Sequence, residues 1–160
     1  MLKRSYFKRK ATVPMKRSGF KKKSKTWKDG TLKKWAIKKS TKTWKRKAWE
    51  KFSQWVRMKA KGVCFTCGVV NRWQDCDAGH FRHDRLDFDN RNVHCQCQKC
   101  NRYMHGNLGN YTLALIEEIG LEGVNQLNRD ATLELGLPPK TEDDYKLLYE
   151  TFDGELKHYE

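Results

Sequence analysis

The chain has 160 residues and a formal net charge of +15, with 34 Lys/Arg against 19 Asp/Glu. That length suits one folded domain with additions rather than several domains. The longest aliphatic run, Leu113-Ala-Leu-Ile116, is far too short to span a bilayer, and no apolar stretch follows the charged start, so the expectation is no membrane segment and a cytosolic chain.

The charge is uneven along the chain. Residues 1–62 carry 24 Lys/Arg and two acids, Asp29 and Glu50, for a net +22, while residues 63–160 net −7. A segment this basic points to a polyanion, above all nucleic acid. Residues 1–42 are rich in Lys, Ser and Thr and poor in aliphatic side chains. They bury too little apolar surface to offset ordering entropy and read as a disordered basic arm. Within it Lys21, Lys22, Lys23 and Trp27 are candidate nucleic-acid contacts. Trp35, Trp44, Trp49 and Trp55 continue the interleaving of indole and lysine, a pattern suited to stacking on bases.

Residues 43–62 predict an amphipathic helix. Trp44, Ala48, Phe52, Trp55, Val56 and Lys59 recur at three-to-four spacing, Lys45, Arg46 and Lys47 offer charge to nucleic acid, and Gly62 stops the helix. The apolar side is expected to pack on the domain that follows. Residues 63–110 predict short strands and turns, with Val69-Val70, Phe81 and Asn92–Gln96 extended and a helix from about Lys99 to Gly106. In residues 111–160, Tyr111 to Ile119 reads as a helix closed by Gly120, and Glu122 to about Asn128 as a second. After Pro138-Pro139, Thr141 and Asp144 form a capping-box pair that opens a third.

Segment 63–110 is too poor in aliphatics to hold itself together and needs a staple. Cys64-Phe-Thr-Cys67 and Cys97-Gln-Lys-Cys100 supply one. In a reducing compartment, two CxxC knuckles at this separation predict a four-cysteine structural zinc site. Cys76 and Cys95 fall outside it and are expected as free or buried thiols.

Between the knuckles lies Asp77-Ala-Gly-His80-Phe81. Hydrolysis of a phosphodiester needs a base for water and a divalent cation at the phosphate, and a neutral imidazole at His80 suits the first task. Asn101 follows the last cysteine. With His105 one turn further on, the two share a predicted helix face that could hold Mg²⁺ opposite His80. Asp77 joins His80 only if a bulge at Ala78-Gly79 re-aims it, since the positions alternate along a strand. Asn92 suits a support role, tying the hairpin loop through backbone hydrogen bonds. His94 faces the same way as Asn92 and is a further phosphate contact. Asp84, Asp87 and Asp89 are alternative cation ligands or turn caps.

This layout resembles the ββα-metal (HNH-type) nucleases. The ordered run from Cys64-x-x-Cys67 through Asp77-Ala-Gly-His80-Phe81, Leu86-x-Phe88-Asp89-x-Arg91-Asn92-Val93-His94, Gln96-Cys97-x-x-Cys100-Asn101, Gly106-Asn-Leu and Tyr111 resembles the phage lambda NinG (Rap) family over about residues 43–127. The resemblance implies an α+β fold: a zinc-stabilised ββα-metal core flanked by helices. It implies a structure-specific DNA endonuclease acting on branched recombination intermediates in the host cytoplasm. It also implies Mg²⁺ or Mn²⁺ as catalytic cation and, because crossed junctions need two cuts, a homodimer. The chain departs from many HNH enzymes in having Gly79 directly before the histidine and Asn101 directly after the last cysteine. The ligand set thus stays open among Asn101, Asp77 and His105. Rival functions are a non-catalytic zinc accessory that binds DNA, an HNH nuclease of linear duplex, and an RNA-binding protein.

Overall fold

Helix α1 spans Asp29–Lys59 in the computed structural model, which describes residues 29–83, 86–134 and 136–159 (for 29–33 and 35, the backbone only). Residues 29–42, expected to be disordered, are therefore the first turns of α1. Burial of Ala48, Phe52, Trp55 and Val56 fixes the helix further along. From that nucleus each added residue gains a hydrogen bond at little cost, and lysine and alanine are good helix formers. The remainder of the predicted arm, with Lys21, Lys22, Lys23 and Trp27, lies outside the described residues.

The apolar stripe of α1 packs where its period predicts. Phe52, Trp55 and Val56 form one core with Val93 of the sheet and Leu156 of the last helix, α3 (Glu142–Leu156). Phe52 meets Phe152 nearly edge-on, with ring centroids 4.8 Å apart, and Trp44 meets Tyr149 at 5.8 Å. Each fully buried side chain of this size contributes about 1.5–3 kcal/mol. The indoles of Trp44, Trp49 and Trp55 are thus engaged with the protein's own rings. This corrects the expectation that they stack on bases. Helix α3 begins as predicted: Thr141 accepts from the Asp144 N–H, and the Asp144 carboxylate accepts from the Thr141 N–H at 2.7 Å.

Two short strands, β1 (Cys76–His80) and β2 (Val93–Cys97), pair antiparallel from Cys76↔Cys97 to His80↔Val93. The pairing is one to one throughout, so no bulge interrupts it at Ala78-Gly79. Ahead of them a single bridge, Val63↔Val70, closes the loop that carries Cys64 and Cys67. After β2 the chain makes a π-helical turn, Lys99–Tyr103, in which the Met104 N–H donates to the Lys99 carbonyl at 3.0 Å. Helix α2 (Leu108–Glu134) is broken at Gly120, whose φ of 72° only glycine adopts freely, and this is where the sequence predicts an end. Its second half continues to Glu134, beyond the expected Asn128, because Leu127 and Ala131 are still buried. Tyr111, Leu115, Val124 and Leu127 form a second core, against Phe65 and Phe81. The architecture is α+β, three α-helices around a two-stranded sheet among the described residues. None of these helices is long and apolar enough to cross a membrane.

Candidate active site and metal centre

Cys64, Cys67, Cys97 and Cys100 converge, with their sulfur atoms all within 4.8 Å of one another. The Cys67 and Cys97 sulfurs stand 3.8 Å apart. A tetrahedral ion with Zn–S bonds of about 2.3 Å sets its sulfurs about 3.8 Å apart, so the donor set and its spacing fit zinc. Local backbone builds the knuckles. Gly68, at φ 70°, turns its N–H back to the Cys64 carbonyl at 2.8 Å. The Thr66 hydroxyl lies 3.3 Å from the Cys64 sulfur, and the Asn107 amide donates to the Cys100 sulfur at 3.5 Å. Burial pushes the Cys64 thiol up, but the Thr66 hydroxyl and neighbouring N–H groups outweigh it and bring it down to about 6. Among the described residues this is the one cluster of three or more metal-binding side chains. Cys76 and Cys95 are free, buried thiols beside it.

His80 ends β1, and helix α1 and the loop after β1 enclose it. Its ring stacks on Trp49 at 4.8 Å with 13° between planes, and its Nε2 lies 3.8 Å from the Asp87 carboxylate. Lys45 of α1 holds that carboxylate at 2.6 Å. Asn92, fully buried, fixes the intervening loop. Its Oδ1 accepts from the Arg82 N–H at 2.8 Å, and its Nδ2 donates to the carbonyls of Arg82 (3.1 Å) and Leu86 (3.3 Å). The Leu86 N–H is held from the other side by Glu134.

Asp77 does not join His80. In an unbulged strand the two positions point to alternate faces, and Asp77 turns to the π-helical turn instead. Arg102 grips its carboxylate with two bonds of 2.8 and 2.6 Å, and Asn101 Nδ2 donates to it at 3.1 Å. Burial alone would raise the Asp77 carboxyl, but these bonds and the Arg102 charge hold it below its ordinary value. Gly79 is not the hinge that the sequence suggests; it is there for close approach. A β-carbon at Gly79 would sit 1.8 Å from Gln96 Oε1 and 3.1 Å from Asn101 Oδ1. His105 does not share a helix face with Asn101. The turn ends at Tyr103, and His105 is exposed in a left-handed conformation, φ 50°. Asp77, Asn101 and Arg102 line one groove with Trp49, Ser53 and Arg57, so Trp49 contributes both to this groove and to the stack on His80.

His94, read from the sequence as a phosphate contact, is engaged within the fold. It stacks on Phe65 at 3.9 Å, with Nδ1 2.9 Å from the Tyr111 hydroxyl and Nε2 3.0 Å from Glu118. The same hydroxyl reaches the carbonyls of Gly79 (3.1 Å) and Asn92 (3.2 Å), tying α2 to both strands. Burial lowers the His94 pKa from its ordinary 6.5, despite the Glu118 carboxylate. The native state therefore favours the neutral ring. Below 6.5 the unfolded chain takes up the proton first, so the stability this group confers is present above that value and lost as the pH falls. Urea midpoints are expected to drop between about pH 7.5 and about pH 5.5, and to drop less in His94→Gln at equal zinc content. An equal drop in both proteins would refute this assignment.

Of the residues read as nucleic-acid contacts, Arg46 and Lys47 are exposed on α1, Lys47 over the Trp44 ring at 4.3 Å. Lys45 is engaged with Asp87. Sequence reasoning missed Gln96, fully buried, and the pairings of Asp87 and Trp49 with His80. Strand alternation was the available signal for Gln96. The other two pairings join separate elements and leave no local spacing.

These features define a small α+β protein in which four cysteines placed to hold one metal ion join a knuckle, a hairpin strand and the turn after it. The family model for the bacteriophage lambda NinG protein matches residues 2–158, and the chain belongs to that family. Protein ninG of Salmonella phage P22 is 36% identical over 90 residues, covering 53% of this chain and 44% of that protein. Protein ninG of Escherichia phage 933W is 36% identical over 87 residues (51% and 43%), and that of Escherichia phage lambda 34% over 87 residues (51% and 42%). The matched segment spans less than half the length of these relatives. No solved structure matches the chain.

Proposed function

We propose that the chain is a metal-dependent HNH-type endodeoxyribonuclease that hydrolyses phosphodiester bonds in branched recombination intermediates, such as Holliday junctions and D-loops, during phage recombination in the host cytoplasm. The observation that carries this is His80, stacked on Trp49 and facing Asp87, on a hairpin whose neighbouring groove holds the Asp77–Asn101 pair. The four-cysteine centre serves structure. It fixes Asn101, directly after Cys100, and Cys97 pairs with Cys76 of β1, the residue before Asp77.

His80 serves as the base that takes a proton from water. Asp77 and Asn101 serve as protein ligands for Mg²⁺ or Mn²⁺. A carboxylate held ionised and an adjacent amide fit a hard cation that keeps several waters and binds one or two protein oxygens plus phosphate. When bound, that cation neutralises charge at the phosphate and the leaving oxygen. Arg46 and Lys47 on α1, with the basic residues before it, hold the DNA backbone, each neutralised phosphate adding about −0.9 to the slope of log K against log salt. Two symmetric cuts across a junction call for a homodimer.

One observation favours a second reading, a non-catalytic zinc accessory that binds DNA. Arg102 already satisfies the Asp77 carboxylate with two hydrogen bonds and leaves it no need of a cation. Cleavage of a labelled four-way junction, beside a matched linear duplex and with Mg²⁺ or EDTA, decides between them. Mg²⁺-dependent cutting that prefers the junction is expected. Tight binding without cutting would favour the accessory, and preference for the duplex would favour a nuclease of another role.

A further inference from the structure

We infer that Gln96 is a positioning residue for Asn101, its buried side-chain oxygen receiving the Asn101 amide when Asn101 turns its own oxygen towards Asp77 to hold a divalent cation. This rests on the assignment of Asp77 and Asn101 as cation ligands made above. Gln96 is fully buried on β2. Its Nε2 donates to the Gly106 carbonyl at 2.9 Å and lies 3.3 Å from the Thr66 hydroxyl. A carbonyl only accepts, so the nitrogen is fixed on that side and Oε1 faces the hairpin. There Oε1 has no hydrogen-bond partner. A buried acceptor left unpaired is costly, because it has given up water without a replacement donor.

Asn101 is the neighbour able to supply the missing donor. A β-carbon at Gly79 would overlap Gln96 Oε1, at 1.8 Å, and press on Asn101 Oδ1, at 3.1 Å, so both oxygens border the same space. The Asn101 Nδ2 is spent on Asp77 at 3.1 Å. The side-chain oxygens of Gln96 and Asn101 therefore border one space over Gly79, while the Asn101 nitrogen is turned to a carboxylate. A half-turn about the soft terminal torsion of Asn101 exchanges these roles. Nδ2 then faces Gln96 Oε1, and Oδ1 stands beside Asp77 Oδ2. Without a cation the second arrangement sets two oxygens together at Asp77 and is disfavoured. A divalent cation that takes the place of Arg102 at Asp77 Oδ2 and lies between the two oxygens reverses the balance, and the hydrogen bond gained by Gln96 adds to the affinity. Any side chain at position 79 would displace the Gln96 oxygen and crowd that of Asn101, which gives Gly79 its place in the same device.

The test uses the zinc-loaded full chain without DNA. In the wild type, Mg²⁺ is expected to bring nuclear Overhauser contacts between the Asn101 side-chain amide protons and the Gly79 α-protons, contacts weak or missing before it is added. By calorimetry, Gln96→Met is expected to bind Mg²⁺ about tenfold more weakly at unchanged zinc content, as outer partners of metal ligands do when removed. Asn101→Asp, which offers oxygen in either orientation, is expected to lose that sensitivity to position 96. Mg²⁺ binding that leaves the amide contacts of the wild type unchanged would overturn the inference, whether or not Gln96→Met folds. So would equal Mg²⁺ affinity in Gln96→Met and the wild type. If Asn101→Ala binds Mg²⁺ as tightly as the wild type, the ligand assignment itself falls, and this inference with it.

Discussion

Replacing Cys97 with serine, or stripping zinc from the folded protein with a strong chelator, is expected to abolish cooperative melting of the hairpin region. The reason is the composition of residues 63–107. Their buried side chains are mostly the cysteines themselves, with Val93, Asn92 and Gln96. Cys64, Cys97 and Cys100 form a cluster of their own that packs on sulfur rather than hydrocarbon. Structural zinc supplies about 10–16 kcal/mol of apparent binding free energy at neutral pH, as much as a small domain's whole stability of about 5–15 kcal/mol. The packing of α1 on α3, built on Phe52 and Phe152, does not touch the metal centre. Far-ultraviolet circular dichroism is therefore expected to fall only in part while the melting transition broadens or vanishes. Elemental analysis of the wild type is expected to return about one zinc per chain. A Cys97→Ser protein that melts cooperatively at the wild-type temperature would show that the cluster does not staple the fold.

What the sequence reveals here is local. The Thr141–Asp144 cap, the break at Gly120, the stripe on α1 and the two knuckles all depend on residues within a turn or a repeat of one another. Asn92 is also legible, since a short polar side chain before a strand commonly bonds the backbone of a turn. The failures have a common cause as well. A period of 3.6 sets His105 on the face of Asn101, but the turn after Cys100 closes with bonds five residues apart and ends before His105. Residues 29–42 look unable to order by themselves, and they do so as an extension of a helix anchored at Phe52. Trp44, Trp49 and Trp55 look like stacking platforms because lysines flank them, and only the packed helix reveals that their rings meet other rings of the protein. The carboxylate facing His80 comes from a loop residue, Asp87, and its clamp, Lys45, from a helix that ends well before β1 begins. No spacing rule connects those three positions.

The second large effect concerns that trio. His80→Ala is expected to lower junction cleavage by about 10²–10⁴-fold, the usual contribution of a positioned general base, while junction affinity stays close to wild type. Affinity is expected to be spared because His80 is mostly enclosed, with 18% of its side chain exposed, whereas Arg46 and Lys47 stand in solvent. The converse variant, Arg46→Ala with Lys47→Ala, is expected to weaken binding and shrink the salt slope by about 0.9 for each phosphate no longer neutralised, with the rate of the bound complex retained. Two checks keep the histidine result interpretable. Loss of the ring also removes the stack on Trp49, so the melting temperature and zinc content of His80→Ala must match the wild type. Asp87→Asn keeps the shape of the pocket and leaves Trp49 in place, yet removes the charge that faces the ring. A smaller loss of rate in that variant, with affinity unchanged, is expected if Asp87 orients the base. Wild-type cleavage by His80→Ala would move the chemistry away from this pocket, and the grouping of Trp49, His80 and Asp87 would then be packing alone.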